Sequence, residues 1–538
     1  WLKPDFADKS WEATDVCHET WSTLGLHDYF KSVVYRTTMT LPDVPKDRAT
    51  YLWLGSFDGS VKVFVNGQRV KHKGADGKLV DDVTGYCQPF SFDITSVAKA
   101  GANSIAILAT RKDFNELGTG GLLAPIMAYA EPPRKWVPSA ATAVPFETAP
   151  EGEGYFAIIE GKNGKLYVGT HANAVNSWLV EFDPKTKAMK PVVDVHKAIG
   201  KDLKGFGSQA KIHTRNNVGA SGKIYFGTKQ GYPEKNEKRE DYPGGYPLVY
   251  DPATGDTKVY DIPVKHHGIN SITPDESRGV AYISTCSDGR PGPGESSIFL
   301  ILDLKTGKYR ELIDTKHVYG FIVLDHLGRA YHPLNGGDIA RYDPKTNKLD
   351  RLKQTIDGVA PPKEFHFADQ PSGHPINWDI SPDGKTLYSV AMSVNKLFAY
   401  DLTAPGDTIP GKDLGPLVPT ATDTDCRAMC VGPSGKVWVS VTAASKHGIS
   451  LHPIVSYTPG DKAPRHHGPV NIANPDYTKF TDDKGKPRPF HHGTFKTADG
   501  ITTSRYVTLG VCETKSGGVY VLMLLPYTVL EIKPDALK

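Results

Sequence analysis

The stretch "KLYVGTHANAVNSWLVEFDPKTK", Lys165 to Lys187, decides the fold. It reads as an apolar strand, a polar loop, and a second apolar strand closed by an Asp-Pro-x-Thr turn. The same grammar returns along the chain. Its leading strand recurs as "KIYFGT" from Lys223, "GVAYIST" from Gly279, "RAYHPL" from Arg329, "KTLYSV" from Lys385, "KVWVSV" from Lys436 and "GVYVLM" from Gly518. The intervals are 58, 56, 50, 56, 51 and 82 residues, the last lengthened by a polar insertion from about Pro459 to Gly500. The closing turns return as "LVYDPATG", "LILDLKTG", "ARYDPKTN" and "FAYDLTAP". A repeat of this period, about four strands long and without helices, is the signature of a β-propeller. Seven units predict seven blades over 151–538. The last shows three strands, Tyr506–Cys512, Gly518–Leu525 and Thr528–Lys533, so its fourth is expected from residues 140–148, closing the ring.

Composition agrees with an all-β chain. Among 538 residues there are 53 glycines and 41 prolines, about 17% against an average near 12%. Hydrophobic residues at 39% and charged residues at 23% exclude a disordered tail, and no apolar run reaches the ~18 residues of a membrane span. Lys and Arg number 63 against 60 Asp and Glu, a net charge of +3. That leaves no global field for nucleic acid or an anionic membrane, so an anionic substrate must meet a local cluster. The six cysteines form no CxxC pair. Cys426 and Cys430 would lie roughly 13 Å apart on a strand and should neither pair nor share a metal. Cys17 and Cys87 are either a bridge or two small buried thiols. The chain starts at Trp1, which fits a removed signal peptide and a secreted or periplasmic protein.

Residues 1–135 read as a β-sandwich, with alternation in Tyr51-Leu-Trp-Leu-Gly and in Val61-Lys-Val-Phe-Val65 before the turn Asn66-Gly67. The order Trp11, Tyr35-Arg36, "LWLGSFDGSVKVFVNGQRV", Phe90-Ser-Phe-Asp-Ile-Thr95 and Gly101-Ala-Asn103 resembles the jelly-roll sugar-binding domain at the front of family 2 glycoside hydrolases. The resemblance implies a carbohydrate-binding or purely packing domain. Its signature (Asp58, Asn66-Gly67, Asp93, Gly101 and Asn103) is a framework of turns and strands. The catalytic barrel of that family does not follow, because the remaining residues show no βα alternation. Between the two parts, five prolines from Glu131 to Pro150 mark residues 136–150 as a linker.

In a propeller, the starts of the innermost strands and the loops after the second strands gather at one mouth of the central channel. The repeat therefore predicts a site map: His171 from the first blade; His213, Arg215, Lys229 and Tyr232 from the second; His266, His267 and Arg290 from the third. The fourth adds His317, Tyr319 and His332, the fifth His374, Asn377 and Trp378, the sixth Arg427. Asp288, Glu295 and Asp338 are the few acids nearby. A typical glycosidase needs two carboxylates about the scissile bond. A β-eliminating lyase instead needs cations to neutralise a uronate carboxylate, a base for the C5 proton, and an acid for the leaving oxygen. The inventory fits the lyase. Any single histidine here also reads as a structural hydrogen-bonding residue between blades, and a lone Lys229 or Arg427 as a solvated charge.

The doublets His266-His267, His466-His467 and His491-His492 face opposite ways on a strand and are not metal pairs. No cofactor is called for; a divalent metal shared by His366 and His374 is the one metal reading left open. The Gly-rich "YPGGYP" from Tyr242 lacks the Lys-Ser/Thr and helix of a phosphate loop.

The segments "AKIHTR", "IYFGTKQGY", "YPGGYPLVYDPATG" and "HHGINSIT" resemble the propeller polysaccharide lyases, a group that includes ulvan lyases and oligogalacturonate lyases. The resemblance implies His213 and Tyr319 as base or acid, with Arg215, Lys229 and His267 neutralising the uronate. From the site map, His171, Tyr232, Arg290, His332, His374, Trp378 and Arg427 are expected around the substrate, an anionic polysaccharide or oligosaccharide, with rhamnose–glucuronate linkages among the candidates. The fused jelly-roll departs from the single-domain members. Two other readings stand beside the lyase: a propeller glycosidase that removes a terminal sugar next to a uronate, and a non-catalytic carbohydrate-binding protein.

Overall fold

The computed structural model describes the chain except residues 74–78, 81–82, 87–89, 113–119, 132–134, 151–153, 288–295, 317, 319, 335–336, 362–376, 422, 445–449, 475–476, 478–492 and 498–500. It divides into two compact units. One comprises Trp1–Lys135, Asn471–Asp476 and Thr494–Thr503, the other Trp136–Val470, Tyr477–Gly493 and Ser504–Lys538.

The first unit follows its alternation. In Phe57–Val65, residues Val61, Val63 and Val65 are buried while Lys62 and Phe64 are less so, because successive strand residues face opposite sides. Asn66 and Gly67 both have positive φ, 53° and 81°, which brings the chain back as Gln68–Val70. Phe57–Val65 also pairs with Gly101–Thr110, whose other edge carries Ser32–Leu41. A second antiparallel sheet runs Ile126–Glu131, Ala49–Leu54, Phe90–Asp93. Leu52, Leu54, Phe90 and Phe92 from this sheet share one core with Val61, Val63, Ile105 and Ile107 from the other.

The polar signature residues are turn-makers. Asp58 accepts from the Gly120 amide at 2.6 Å. The Asn66 amide donates to the Val97 carbonyl and to Asn103 at 2.9 and 2.8 Å. Cys17 is an exposed free thiol, and Cys87 lies outside the described residues; Cys286, Cys426, Cys430 and Cys512 are free and buried.

The second unit is of β-propeller type: it repeats one four-stranded antiparallel meander. The first is Gly154–Glu160, Leu166–Thr170, Trp178–Phe182 and Met189–Asp194. The second begins as two pieces, Lys211–Ile212 and Asn217–Val218, both paired with Ile224–Lys229, and continues through Pro247–Tyr250 and Thr257–Val259. The third is Gly268–Asp275, Val280–Cys286, Ser296–Asp303 and Tyr309–Lys316. The fourth is Val323–Leu324, Ala330–Pro333, Ile339–Asp343 and Lys348–Ile356; the fifth is Asn377–Ile380, Thr386–Val390, Lys396–Asp401 and Thr408–Pro416. The sixth is Asp423–Val431, Val437–Ala444, Pro453–Tyr457 and Arg465–Ile472. A seventh is Thr508–Glu513, Val519–Met523, Thr528–Ile532 and, as its outer strand, Val137–Ala143. All of the repeated sequence segments are second strands.

The stretch read as a linker is therefore part of the second unit. Ala140 to Ala143 pair antiparallel with Glu531 to Thr528. The first meander also touches the last directly: Tyr527 Oη donates to the Gly169 carbonyl at 2.7 Å, and Glu160 accepts from the Lys515 amide at 2.8 Å. Ile158, Leu166 and Val168 share a core with Cys512, Tyr520, Leu522 and Val529.

Two local devices recur. In the closing Asp-x-x-Thr turns the aspartate accepts backbone amides two and three residues on, as Asp303 does from Lys305 and Thr306 at 3.0 and 2.7 Å. These amides hold the Asp303 carboxyl below its usual range. Elsewhere a glutamate of one meander grips the tight turn of its neighbour. Glu276 accepts the Ser221 amide at 2.6 Å, the Ser221 hydroxyl at 2.7 Å and the Tyr225 hydroxyl at 2.8 Å. Glu513 does the same for the Ser434 hydroxyl at 2.7 Å.

Burial pushes the Glu276 carboxyl up, but the Ser221 and Tyr225 donors outweigh it and hold it below the ordinary value. Its contribution is thus complete above that value and lost as pH falls through the lowered one. Glu276→Ala should cost about 1–2 kcal/mol of stability at pH 7. Denaturant midpoints of variant and native protein should converge as pH falls well below 4.5, the ordinary value.

Candidate functional site

The second meander departs from the repeat where its inner strand breaks. Lys211 and Ile212 pair with Lys229 and Thr228; Asn217 and Val218 pair with Tyr225 and Ile224. Residues 213–216 thus stand opposite only Phe226 and Gly227. A bulge of this kind re-aims side chains and is over-represented at active sites. It is pinned by the Thr214 hydroxyl, which accepts the Gly227 amide at 3.1 Å, and by the Asn216 amide, which donates to the Tyr167 carbonyl at 3.2 Å. His213 sits at its head.

Lys211 and Lys229 lie directly opposite each other, so their side chains rise on one face of the sheet. Lys211 Nζ lies 3.6 Å from the centre of the Tyr232 ring and 4.8 Å from that of Tyr155, a cation held between two aromatic faces. The two tyrosine hydroxyls hydrogen-bond to each other. The His213 ring packs 4.4 Å from the Tyr155 ring, and His171 lies within 5.5 and 5.8 Å of Tyr155 and Tyr232. The Asn173 side chain fixes Tyr232 by accepting its amide at 2.6 Å. His267 joins through Gly268, where a Cβ would stand 2.4 Å from Lys229 Cγ, so only glycine admits the lysine stem. His267 itself is bonded to the Thr285 hydroxyl at 3.0 Å.

The cluster is enclosed: His171, Lys229, Lys211, His213 and His267 are 1, 3, 5, 6 and 9% exposed, whereas Tyr232 is 42% exposed. Burial first, then Lys229, Lys211 and His171, holds the His213 imidazole well below the ordinary histidine value. His213 is therefore a neutral imidazole at neutral pH, able to accept a proton and flanked by cations.

The structure thus brings together His171, His213, Lys229 and Tyr232 among the residues named from sequence; His267 adjoins them through Gly268, with its ring bonded to Thr285. The structure adds Lys211 and Tyr155, which sequence reasoning missed. The one available signal was spacing: Lys211 precedes His213 by two residues within "KIHT".

The other residues lie differently. Arg215 reaches from the second meander to the fifth, donating to the Trp378 carbonyl at 3.0 Å and to the Asp379 carboxylate at 3.2 Å. Trp378 is buried, its indole N–H donating to the Phe321 carbonyl, and offers no face to a sugar. His332 is buried between the third and fourth meanders, bonded to the Ser284 hydroxyl at 2.8 Å and stacked on Phe299. Arg427 is paired with Asp425 at 2.8 Å, its carbonyl accepting from Asn377. Asp338 is held by Lys353 and Arg351. His266 bonds to the Tyr242 carbonyl at 2.7 Å, and His467 to the Ser456 hydroxyl at 2.8 Å.

Tyr319, Arg290 and His374, with His317, His366, Asp288 and Glu295, lie outside the described residues. Among the described residues no three His, Cys, Asp or Glu side chains are placed to hold a metal.

No protein-family model matches the chain, and no curated protein matches it. Solved structures with a similar trace include a streptogramin B lyase, 15% identical over 73% of this chain and 95% of that one, with a TM-score of 0.44. They also include the β-propeller domain of Cps50 (Swd1) from Myceliophteria thermophila, 10% identical over 74% of this chain and 100% of that one, TM-score 0.45. The periplasmic gluconolactonase of Pseudomonas aeruginosa is 12% identical over 69% of this chain and 99% of that one, TM-score 0.41. Overlaps this loose carry nothing about activity.

The buried histidines outside the cluster have a measurable consequence. Burial lowers His332 to about 4, so between the ordinary value of 6.5 and that point the unfolded chain binds a proton that the native one refuses. Stability should therefore fall by roughly 3 kcal/mol over this window. His332→Gln should flatten that part of the stability–pH curve, read by denaturant melts at pH 7, 5.5 and 4.5.

Proposed function

We propose that the chain is a jelly-roll domain followed by a seven-bladed β-propeller, and that the propeller is a polysaccharide lyase. It cleaves beside a uronic acid by β-elimination and leaves an unsaturated uronate. The observation that carries this reading is a neutral, buried His213 flanked by Lys211 and Lys229 under a pair of tyrosine hydroxyls.

A uronate C5 proton is only weakly acidic, and its removal loads charge onto the neighbouring carboxyl group. Lys211 and Lys229 are suited to receive that carboxylate and to stabilise the enolate-like charge in a site of low dielectric. His213 takes the C5 proton onto a ring nitrogen. The electron pair left behind forms the C4–C5 double bond, the C4–O bond breaks, and the departing oxygen takes a proton from a hydroxyl. Tyr232 and Tyr155 offer that proton among the described residues, beside Tyr319, which the lyase resemblance implies. Lys211 takes over the neutralising part expected of Arg215, whose guanidinium is committed to Asp379.

In the first unit, a groove of about 540 Å³ lined by the exposed Trp11 with Glu12 and Thr38 suits carbohydrate contact. No helix among the described residues is long and apolar enough to cross a membrane. A polysaccharide substrate agrees with a secreted or periplasmic location.

Incubation with uronate-containing polysaccharides should raise the ultraviolet absorbance of the unsaturated uronate. Reducing ends without absorbance would move the assignment to a glycosidase. Calorimetric binding without product would make the chain a carbohydrate-binding protein. His213→Gln should lower the rate by about 10²–10⁴-fold; a full rate would remove His213 from the site. Because the His213 imidazole resists protonation, the rate should hold level as pH falls through 6.5 and decline only well below it.

A further inference from the structure

Arg215 and Trp378 do not face the cluster, yet they are tied to it. Asp379 stands at the centre of three parts of the unit. One oxygen accepts from Arg215 of the second meander at 3.2 Å and from the Ile380 amide at 2.9 Å. The other accepts the Val431 amide of the sixth meander at 2.8 Å. Arg215 is thus gripped twice, by this carboxylate and by the Trp378 carbonyl, and its guanidinium lies 5.0 Å from the centre of the Phe321 ring.

Two routes lead from that grip to His213. The first is the chain itself. His213 and Arg215 share the four-residue bulge, where no ladder hydrogen bonds set the backbone, so side-chain anchors must. The second is a column of rings. Phe321, on which Arg215 rests, meets Phe156 edge-on at 5.8 Å, and Phe156 meets the His213 ring edge-on at 5.2 Å. Trp378 holds the same column by donating to the Phe321 carbonyl.

We propose that Asp379 is the positioning residue of His213, acting through Arg215. Without the carboxylate, Arg215 loses one of its two grips, the bulge loses its far anchor, and the imidazole leaves its place between Tyr155 and Phe156. Lys211 and Lys229 are held separately, by their direct pairing, and keep their places. The consequence for rate rests on the lyase reading; the consequence for the position of His213 does not.

The test uses the full chain with carbon-labelled histidines. The His213 ring lies against Tyr155 and Phe156, so ring currents should displace its resonance from that of an ordinary histidine. In Asp379→Asn the resonance should move toward the ordinary position, while those of buried His332 and His452 stay fixed. Arg215→Lys, which keeps the charge and loses the forked grip, should move it the same way and serves if the first variant folds poorly. A His213 resonance unmoved in either folded variant would overturn the proposal.

On a substrate that yields unsaturated product, Asp379→Asn should lower kcat at least tenfold with KM within twofold; a raised KM at unchanged kcat would also overturn it. If no uronate substrate yields product, the lyase reading falls, and the resonance still decides the positioning role.

Discussion

The second unit depends on one backbone pairing, Ala140–Ala143 against Thr528–Glu531. Each meander buries its faces against two neighbours and is unstable alone, so the set must close on itself or leave an apolar face and an open strand edge in water. Closure by a strand from the other end of the chain brings together residues almost four hundred positions apart, at an entropy cost that grows only slowly with loop length. Tyr527 on Gly169 and Glu160 on Lys515 then fix the first meander to the last.

The site is the place where this regularity gives way furthest. The inner strands of the first, third, sixth and seventh meanders each shift register once, but that of the second is split in two by a four-residue bulge, which turns His213 toward Tyr155 next to the facing pair Lys211 and Lys229. Two lysines facing each other in a ladder cost stability in a purely structural sheet. Here both lysines are buried, with Tyr155 and Tyr232 over Lys211, and burial together with the two charges holds His213 neutral beside them. The arrangement favours whatever negative group enters.

Much of the fold was legible in the sequence because its signals are local. An apolar run such as Leu166–Thr170 and the aspartate turn at Asp183 each report their own structure. The outer strand Val137–Ala143 was partly hidden by Pro138, which reads as linker and sits ahead of the paired residues. Within the site, His213, Lys229 and His267 stood out by residue type and place in the repeat. Tyr155 did not, since "GYFAIIE" reads as an ordinary core strand, and Lys211 reads as a solvated charge until the tyrosines over it are seen. Arg215 and Trp378 were expected to face substrate. Their partners, Asp379 and the Phe321 carbonyl, lie 164 and 57 residues away in sequence, and no spacing rule reports such a pair.

The outer strands give the circle of meanders an uneven mechanical character. Lys353–Ile356 of the fourth meander runs parallel to Thr408–Gly411 of the fifth, and the outer strand of the sixth lies beside Val137–Ala143 of the seventh. These two seams carry one continuous sheet from meander to meander, whereas the seams on either side of the second meander have scattered main-chain bonds, such as the Ala172 amide to the Ala210 carbonyl at 3.0 Å and the Gly245 amide to the His267 carbonyl at 2.8 Å. Strain applied to the second unit should therefore be carried across these two continuous seams as if through single sheets, and the meanders joined without a shared sheet, the second with its lysines and bulge among them, are the freer to shift by small amounts against their neighbours.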